Sequence, residues 1–352
     1  MEKRLLLEEG KNKVWRYNGV PQEAIDFLDD IAWGTEGAVY EHKNTEQMVQ
    51  HLHNPTFMTL NRNDEMIGTV VFCHLPVMVG DSSYNCYFVR YFAASPNIRG
   101  RGFMSRYGLK VMELIHDGET EKTIFYASIE KGNRSSYRAV KYSGYEQIGM
   151  VKTSGFSRFF PRRSKRMEQV KSEEDRNKVL SLLRDLYKEH ALVHFKSLFL
   201  NDDYYVIREN GEIVAGCQMH RALWVVNDMG GKTGKFLMKV VPRIPLLNQL
   251  FNPDKFEFLA FEGIYVKPGY EKRLEELFEG LLAKEKLKSS MFWMGSTCPI
   301  RKRILEKIRP GLINAFVKDS DVYIMASFND VNEKEIEDIK SRPKYASGFD
   351  YI

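Results

Sequence analysis

A short run of glycine and arginine at residues 99–102 (RGRG) stands between a stretch typical of a β-strand and a stretch typical of an α-helix. A strand that passes through a glycine turn into a helix presents backbone N–H groups at the positive end of the helix dipole. Glycine lets a diphosphate approach the main chain closely, and the arginines add positive charge. The run therefore predicts a phosphate-binding loop over residues 98–104.

The elements around this loop are predicted from apolar spacing. A strand over residues 85–94 precedes it, and an amphipathic helix over residues 103–116 follows it, with apolar residues at helical spacing. A strand over residues 122–129 comes next. Asn133 then opens a short helix that ends before Gly144, since asparagine favours helix starts and glycine favours helix ends.

These residues resemble two motifs of the GCN5-related N-acetyltransferase (GNAT) superfamily. The family's loop reads Gln or Arg, two residues, Gly, any residue, then Gly or Ala. Residues 97–102 (NIRGRG) follow this pattern except that Asn97 replaces the first residue. Residues 139–145 (AVKYSGY) are similar to the family's second signature, Ala-x-x-Tyr-x-x-Gly-Phe. Tyr145 takes the place of the Phe, and the spacing from Tyr142 to Gly144 is one residue shorter. Two matching segments in the family's order make the resemblance more specific than either alone.

The resemblance implies an α/β fold with a mixed sheet (α+β) and an acetyltransferase that moves an acetyl group from acetyl-CoA, its co-substrate, to a primary amine. The end of the strand before the loop would bind the pantetheine arm and polarise the acetyl carbonyl. Asn133 would contact the cofactor arm or simply cap its helix. The candidate cofactor-binding residues are Phe92, Ala93, Ala94, Ile98, Arg99, Gly100, Arg101, Gly102, Phe103, Met104 and Asn133.

Tyr142 is the candidate catalytic residue. The resemblance places its hydroxyl near the sulfur of CoA, where a phenol can protonate the departing thiolate. The alternative is that Tyr142 only packs on the sheet. No carboxylate occurs in residues 84–94, so the general base is not identified. Glu130 is the nearest acidic residue, and we expect it to be a solvated loop residue.

Composition narrows the functional classes. The chain has 352 residues and a net charge of +5, which suits an anionic ligand without a dense basic tract for nucleic acid. The four cysteines are scattered and no run of about 18 apolar residues occurs, so we expect a soluble cytoplasmic protein with no membrane partner. His190 and His194 have the spacing of a helical metal pair, but no third ligand accompanies them, so no metal is expected.

The pattern of the first half repeats in the second. A strand and a capped helix begin again at residue 167, and Asn210-Gly211 echoes the turn at Asn63-Asp64. We therefore predict two tandem GNAT-like domains, at residues 1–163 and 164–352, joined by a linker at residues 161–166. The alignment places Lys272 and Leu274 opposite the loop glycines, and Arg309 opposite Tyr142. The second domain is accordingly predicted to be degenerate, with a structural or acceptor-binding role.

The leading hypothesis is an N-acetyltransferase with a small-molecule or peptide amine as acceptor. Two alternatives stay open. One keeps the fold and changes the acyl donor to an aminoacyl-tRNA or a long-chain acyl-CoA. The other is a binding module that holds CoA, or works through a partner, without catalysis. The acceptor and the oligomeric state are not predicted.

Overall fold

The computed structural model describes residues 2–34, 38–98, 102–317 and 320–352, without the side chains of Phe103, Met104 and Thr233. The described strands are β1 (Glu2–Glu9), β2 (Asn12–Asn18), β3 (Ala38–His42), β4 (Pro55–Arg62), β5 (Glu65–His74), β6 (Val77–Val79), β7 (Ser82–Ala94), β8 (Thr123–Glu130), β9 (Glu146–Ser157), β10 (Met167–Gln169), β11 (Tyr204–Glu209), β12 (Glu212–Met229), β13 (Phe256–Val266), β14 (Ser289–Gly295) and β15 (Asp321–Asn329).

The described α-helices are α1 (Gln22–Asp29), α2 (Thr45–Gln50), α3 (Phe103–His116), α4 (Arg134–Tyr142), α5 (Glu173–Leu186), α6 (Gly231–Lys239), α7 (Pro245–Asn248), α8 (Glu271–Glu285), α9 (Pro299–Lys307), α10 (Ile313–Val317) and α11 (Glu333–Ser341). This is the predicted mixed α/β class. No helix in the described part of the chain is both long enough and apolar enough to span a membrane.

The chain divides into two compact units that are not continuous in sequence. The first unit comprises residues 1–77, 82–149 and 323–341, and the second comprises residues 78–81, 150–322 and 342–352. The sequence predicts a single division between residues 163 and 164. The compact units instead divide near residue 149, and each takes a segment from the other half of the sequence.

The predicted linker at residues 161–166 is part of the second unit. The main-chain N–H of Arg162 donates to Glu279 over 2.9 Å, and the Ser164 hydroxyl donates to Glu276 over 2.8 Å. Both acceptors lie on α8. The basic run therefore lies against acidic side chains of α8, and it does not separate two domains.

The sheet of the first unit has the order β1-β2-β4-β5-β7-β8-β15. The strands from β1 to β7 pair antiparallel, whereas β7 and β8 pair parallel. The hairpin between β4 and β5 turns at Asn63 and Asp64, both with positive φ, as the sequence predicts. On one face, Tyr107, Val111 and Met112 of α3 pack on Phe125 and Ile129 of β8. This packing fixes the start of α3 beside the end of β7.

The sheet of the second unit repeats this pairing pattern in the order β9-β14-β13-β12-β11-β10. Its only parallel pair among the described registers is β13 with β14. The core contains Phe261, Phe278 and Phe292, all less than 2% exposed. The aromatic side chains of this half are therefore mainly core residues.

Residues 146–157 form one continuous strand, β9, and Phe160 lies beyond it. His190 and His194 lie outside a helix, because α5 ends at Leu186. Both imidazoles are buried, His190 beside Cys298 and His194 beside Asp350. Among the described residues no cluster suited to a metal ion is found.

Candidate functional site

The first unit opens where β7 and β8 separate. Their parallel register runs from Asn85–Thr123 to Val89–Ala127. Beyond it, β7 continues to Ala94 and β8 continues to Glu130, without further pairing in that register. We call this gap the first splay, defined by residues 90–94 and 128–130. A splay exposes main-chain groups of β7 on the edge that faces β8, which is where an extended ligand can bind as a strand would.

A β-bulge lies at the start of the first splay. The register between β5 and β7 shifts between Thr69 and Val71, and Tyr91 has a φ of 51°. A positive φ is unusual for a bulky residue, and such backbone strain is concentrated at functional sites. Ser95 donates its N–H to Ile67 of β5. Because amide directions alternate along a strand, the N–H groups of Phe92 and Ala94 are directed to the opposite edge, toward the splay.

Helix α3 begins directly after the predicted phosphate loop. Gly102 is its N-cap residue, with a φ of 74°, and a Cβ added there would have no described atom within 4 Å. Glycine is therefore required by the backbone, and space remains above it for a ligand. The main chain of Phe103 and Met104 forms the first turn. Of the other predicted loop residues, Arg99, Gly100 and Arg101 lie outside the described residues.

Ile98 does not fit the role predicted for it. Its N–H donates to the carbonyl of Ser95 over 3.1 Å, and its side chain is buried in the core beside α3. The residue closes a turn of 3-10 helix formed by Pro96–Ile98. Its amide is thus used within the turn, and its side chain anchors that turn in the core.

Salt bridges hold α3 against the hairpin of β1 and β2. The Glu9 carboxylate lies 2.7 Å from Arg106 and also accepts from Lys110. The hydrogen bond from Lys110 lowers the pKa of Glu9 below its usual range. These contacts position the start of α3 without using the residues of the predicted loop.

Helix α4 presents Asn133 and Tyr142 at its two ends. The Asn133 side chain accepts from the N–H of Ser136 over 3.0 Å, so the predicted helix cap is present. Tyr142 is the last residue of the helix and is 63% exposed. This exposure excludes the alternative that Tyr142 packs on the sheet, and it leaves the hydroxyl accessible.

An aromatic and polar cluster surrounds Tyr91, at the start of the first splay. The Trp33 ring lies 5.8 Å from the rings of both His42 and Tyr91, and the Tyr40 ring lies 5.5 Å from His42. The Arg90 guanidinium lies over the Tyr91 ring at 4.5 Å. The aromatic cluster, as we call it, consists of Trp33, Tyr40, His42, Arg90, Tyr91 and Glu130.

Glu130 connects this cluster to the first splay. It is the last residue of β8, and its carboxylate accepts from the Tyr40 hydroxyl over 2.7 Å. Burial raises the pKa of Glu130 above its usual range, and the Tyr40 hydrogen bond acts against that shift. The expectation of a solvated loop glutamate is therefore wrong, because Glu130 belongs to a strand and is held by a phenol.

His42 stays neutral in the same cluster. Burial, followed by the charge of Arg90, lowers the pKa of His42 to about 3. A neutral imidazole beside an arginine adds no second positive charge to the cluster. Sequence reasoning missed Trp33, Tyr40, His42 and Arg90, because they are distant in sequence and belong to no motif. Residues 33–42 contain two aromatic residues and a histidine, which form no recognisable motif.

The second unit has an equivalent splay that is filled by its own chain. The register of β13 and β14 runs from Leu259–Ser290 to Phe261–Phe292, and the strands then separate. Gly295 of β14 donates its N–H to Lys344 over 3.2 Å, and Phe349 donates its N–H to Glu262 of β13 over 3.2 Å. The C-terminal segment, residues 344–352, therefore contacts both edges of this second splay.

The strand-to-helix connection of the second unit also differs. Between β13 and α8 there are four residues (267–270), whereas eight residues (95–102) separate β7 from α3. The predicted alignment of Lys272 and Leu274 with the loop glycines is therefore wrong, since both lie within α8. Leu274 is fully buried in the core and does not line a loop.

Comparisons with known proteins agree with this architecture. The acetyltransferase (GNAT) family model matches residues 25–145, which include β7, β8, α3 and α4. No curated protein matches the chain by sequence at a significant level.

Solved structures extend the likeness to both halves of the chain. N-myristoyltransferase of Saccharomyces cerevisiae with bound myristoyl-CoA is 9% identical, with a TM-score of 0.60 over 98% of this chain and 90% of that one. A second structure of that enzyme, with myristoyl-CoA and inhibitors, gives 9% identity and a TM-score of 0.59 over 97% of this chain and 87% of that one. A GCN5-related N-acetyltransferase of Anabaena variabilis is 11% identical, with a TM-score of 0.48 over 89% of this chain and 72% of that one.

Proposed function

We propose that this chain, which belongs to the GNAT superfamily through the domain at residues 25–145, is an acyl-CoA-dependent N-acyltransferase whose first unit is catalytic. The observation that carries the proposal is the first splay, with a bulge at Tyr91 and the start of α3 at its end. We further propose acetyl-CoA as the donor and a primary amine as the acceptor.

On the donor side, three features support binding of acyl-CoA. The N–H group of Phe92 is directed toward the edge of β7 that an extended pantetheine arm would pair with. Gly102 leaves open space at the N-terminus of α3, where a diphosphate is stabilised by unpaired N–H groups and by the helix dipole. Ala93, between these residues, is small and buried, so it allows the arm to lie flat against the strand.

On the acceptor side, we propose that Glu130 is the general base. A primary amine is mostly protonated at neutral pH and must lose a proton before it attacks. The carboxylate stands at the end of the first splay, and burial raises its pKa toward the range where it can accept a proton. The Tyr40 hydroxyl holds the carboxylate in one orientation. Glu130 thus supplies the base that sequence reasoning did not identify.

The proposed reaction is a single acyl transfer. The amine nitrogen attacks the thioester carbonyl carbon, a C–N bond forms, and the C–S bond breaks. Glu130 takes the proton from the amine. Tyr142, exposed at the end of α4, gives a proton to the thiolate of CoA. A main-chain N–H of β7 next to the bulge stabilises the oxyanion, an effect worth about 3 kcal/mol in comparable sites.

A long-chain acyl donor is the second candidate. It is favoured by the likeness to N-myristoyltransferase, which extends over 98% of this chain. The same first splay would hold the CoA part of either donor, so the two candidates differ only in the acyl group. A donor screen therefore separates them without changing the proposed site.

The test is a calorimetric titration with CoA, followed by turnover assays with acetyl-CoA, myristoyl-CoA and charged tRNA across a panel of amines and peptides. Saturable CoA binding at micromolar concentrations with thiol release from acetyl-CoA is the expected result. Thiol release from myristoyl-CoA alone would replace the donor. Binding without turnover on every acceptor would leave a CoA-binding module, and the absence of CoA binding would reject the proposal.

A further inference from the structure

The connection between β12 and β13 is much longer than the pairing of these strands requires. The two strands pair antiparallel up to Trp224 and Phe256, yet 26 residues (230–255) join them. The equivalent connection in the first unit, between β5 and β7, has seven residues (75–81). Long connections in compact domains commonly carry function. We call residues 230–251 the insert; it contains α6 and α7.

The inner side of the insert is packed on the second unit. Leu237, Val241, Leu250 and Phe251 are each less than 5% exposed. The Leu250 carbonyl accepts from the Ser289 hydroxyl over 2.7 Å, and the Phe251 ring lies 5.0 Å from Phe256. The insert is therefore a folded platform, and its outer side chains have defined positions.

The outer side of the insert is apolar to an unusual degree. Phe236, Val240, Ile244 and Leu246 are 47%, 38%, 40% and 41% exposed. Among the described residues, ten large hydrophobic side chains are exposed to this extent, and four of them lie within these 11 residues. A concentration of this kind marks an interaction surface, whereas isolated exposed hydrophobic residues do not.

Positive charge surrounds these apolar side chains. Lys232, Lys235, Lys239 and Arg243 are exposed, and residues 229–253 contain no aspartate or glutamate. In the described part of the chain, none of these four side chains lies in a salt bridge, although most exposed basic residues of α8 do. Lys232, Phe236 and Val240 follow at four-residue intervals, so basic and apolar side chains share one side of α6.

We propose that the insert binds the surface of an anionic lipid bilayer. Apolar side chains beside a set of unpaired lysines and arginines are the features of a segment that lies in the interface of a membrane. The positive charge complements acidic lipid headgroups, and the aromatic and aliphatic side chains enter the boundary between headgroups and acyl chains. Such binding is peripheral and needs no spanning helix. The proposal departs from the sequence expectation of no membrane partner.

The test is flotation of the full-length protein with lipid vesicles. One set contains phosphatidylcholine alone, and the other contains about 30% phosphatidylglycerol, an anionic lipid. We expect the protein to float with the anionic vesicles, to float at least about tenfold less with the neutral ones, and to dissociate as salt is raised. Equal flotation with both sets, or none, would overturn the proposal.

Paired variants separate the two contributions. Phe236→Ser with Ile244→Ser removes apolar side chains, and Lys235→Glu with Lys239→Glu reverses charge; each pair should reduce flotation at least about tenfold. The matched controls are Phe160→Ser, at a side chain that is 77% exposed outside the insert, and Lys302→Glu on α9. Both controls should float like the wild type, and a loss in them equal to that of the insert variants would contradict the proposal.

A second measurement excludes self-association as the explanation. Sedimentation equilibrium of the wild type and of the Phe236→Ser, Ile244→Ser variant should give the same mass in the absence of lipid. A dimer that dissociates in the variant, with no flotation of the wild type, would assign the surface to a second copy of the chain instead. Thermal melting that is unchanged in every variant shows that the second unit remains folded.

Discussion

The first and second splays are built on the same strand pairing, yet they end differently. In both units a parallel pair of strands separates after a few paired residues, at Val89 in one and at Phe261 in the other. The first splay leads to a glycine-capped helix with open space above Gly102. The second is contacted on both edges by residues 344–352.

The helix N-termini beside the two splays also differ, since an acidic side chain lies at the start of α8 and none lies in the first turn of α3. At the start of α8, the N–H of Gly269 donates to the Glu271 carboxylate over 3.3 Å, and Arg303 lies 3.1 Å from that carboxylate. A side chain of the protein therefore occupies the position where an anionic ligand would bind. α3 has no acidic residue in its first turn, and its N-cap is a glycine. The same strand-to-helix architecture can thus leave the helix N-terminus to a ligand or fill it with a side chain of the protein.

Glycine has opposite uses in the two splays. Gly295 and Gly348 allow close contact within the protein, because a Cβ on Gly295 would lie 2.7 Å from the Lys344 carbonyl oxygen and one on Gly348 would lie 2.6 Å from the Phe261 carbonyl oxygen. At Gly102 a Cβ would meet no atom of the described residues within 4 Å. Close packing closes the second splay, whereas a left-handed backbone with space around it leaves the first open.

The largest expected effect is that of Gly102→Leu on CoA binding. Leucine disfavours a φ of 74°, and its side chain would cover the N-terminus of α3. We expect affinity for CoA to fall at least about 100-fold, or by about 2.7 kcal/mol, in calorimetry. The matched control is Gly10→Leu, at a turn of the same unit with a φ of 59° and open space. A similar loss in both variants would show that backbone strain alone is responsible.

The second largest effect is expected from removing the carboxylate of Glu130, with Glu262 of the second splay as the comparison. Glu130→Gln should lower kcat about 100-fold with little change in CoA affinity, because an amide cannot accept the proton. Glu262 is buried and accepts from His220 over 3.0 Å. Glu262→Gln should lower the free energy of unfolding by about 1–3 kcal/mol and leave kcat unchanged. Normal turnover in Glu130→Gln would remove the proposed base.

A smaller effect is expected from Tyr142→Phe. Loss of the phenol should reduce kcat about tenfold or more and leave the Kd for CoA unchanged, since the hydroxyl is proposed to act only on the leaving thiolate. Arg309 follows α9 in the second unit and is also exposed. Arg309→Ala is the control and should have no effect on turnover. An unchanged rate in Tyr142→Phe would assign the proton donor to another group.

The smallest effect is a shift in pH dependence. The proposed base acts as the carboxylate, so kcat/KM should be highest above the pKa of Glu130 and should fall as the pH drops through it. The Tyr40 hydrogen bond lowers the pKa of Glu130, opposing the effect of burial. Tyr40→Phe should therefore raise that pKa and move the acidic limb of the pH profile to higher pH. Tyr323→Phe, in the same unit, should leave the limb in place, and a fixed limb in Tyr40→Phe would contradict the assignment.

The helices near the predicted loop agree with those predicted from the sequence. The predicted helix over residues 103–116 matches α3 at both ends, and the cap at Asn133 is present. These features depend on residues close together in sequence, namely apolar spacing, a capping side chain and glycine at a turn. The structure therefore adds little to what the sequence predicts there.

The base and the division into units could not be read in the same way. Glu130 acquires its environment from Tyr40, which is 90 residues away, and its raised pKa exists only because other elements bury it. The last strand of each unit's sheet comes from the other half of the sequence, β15 for the first unit and β9 for the second. Periodicity reports which face of a strand is buried and does not report which strand lies beside it.

The amino-acid sequence by itself determined the family resemblance, the mixed α/β class and the glycine that must begin α3, because these depend on residue type and short-range spacing. The tertiary structure decided which of two similar splays is open. That outcome depends on where residues 344–352 pack and on the connection before α8, which is four residues shorter than the connection before α3. Both depend on contacts between segments that are distant in sequence, and short-range residue patterns do not report such contacts.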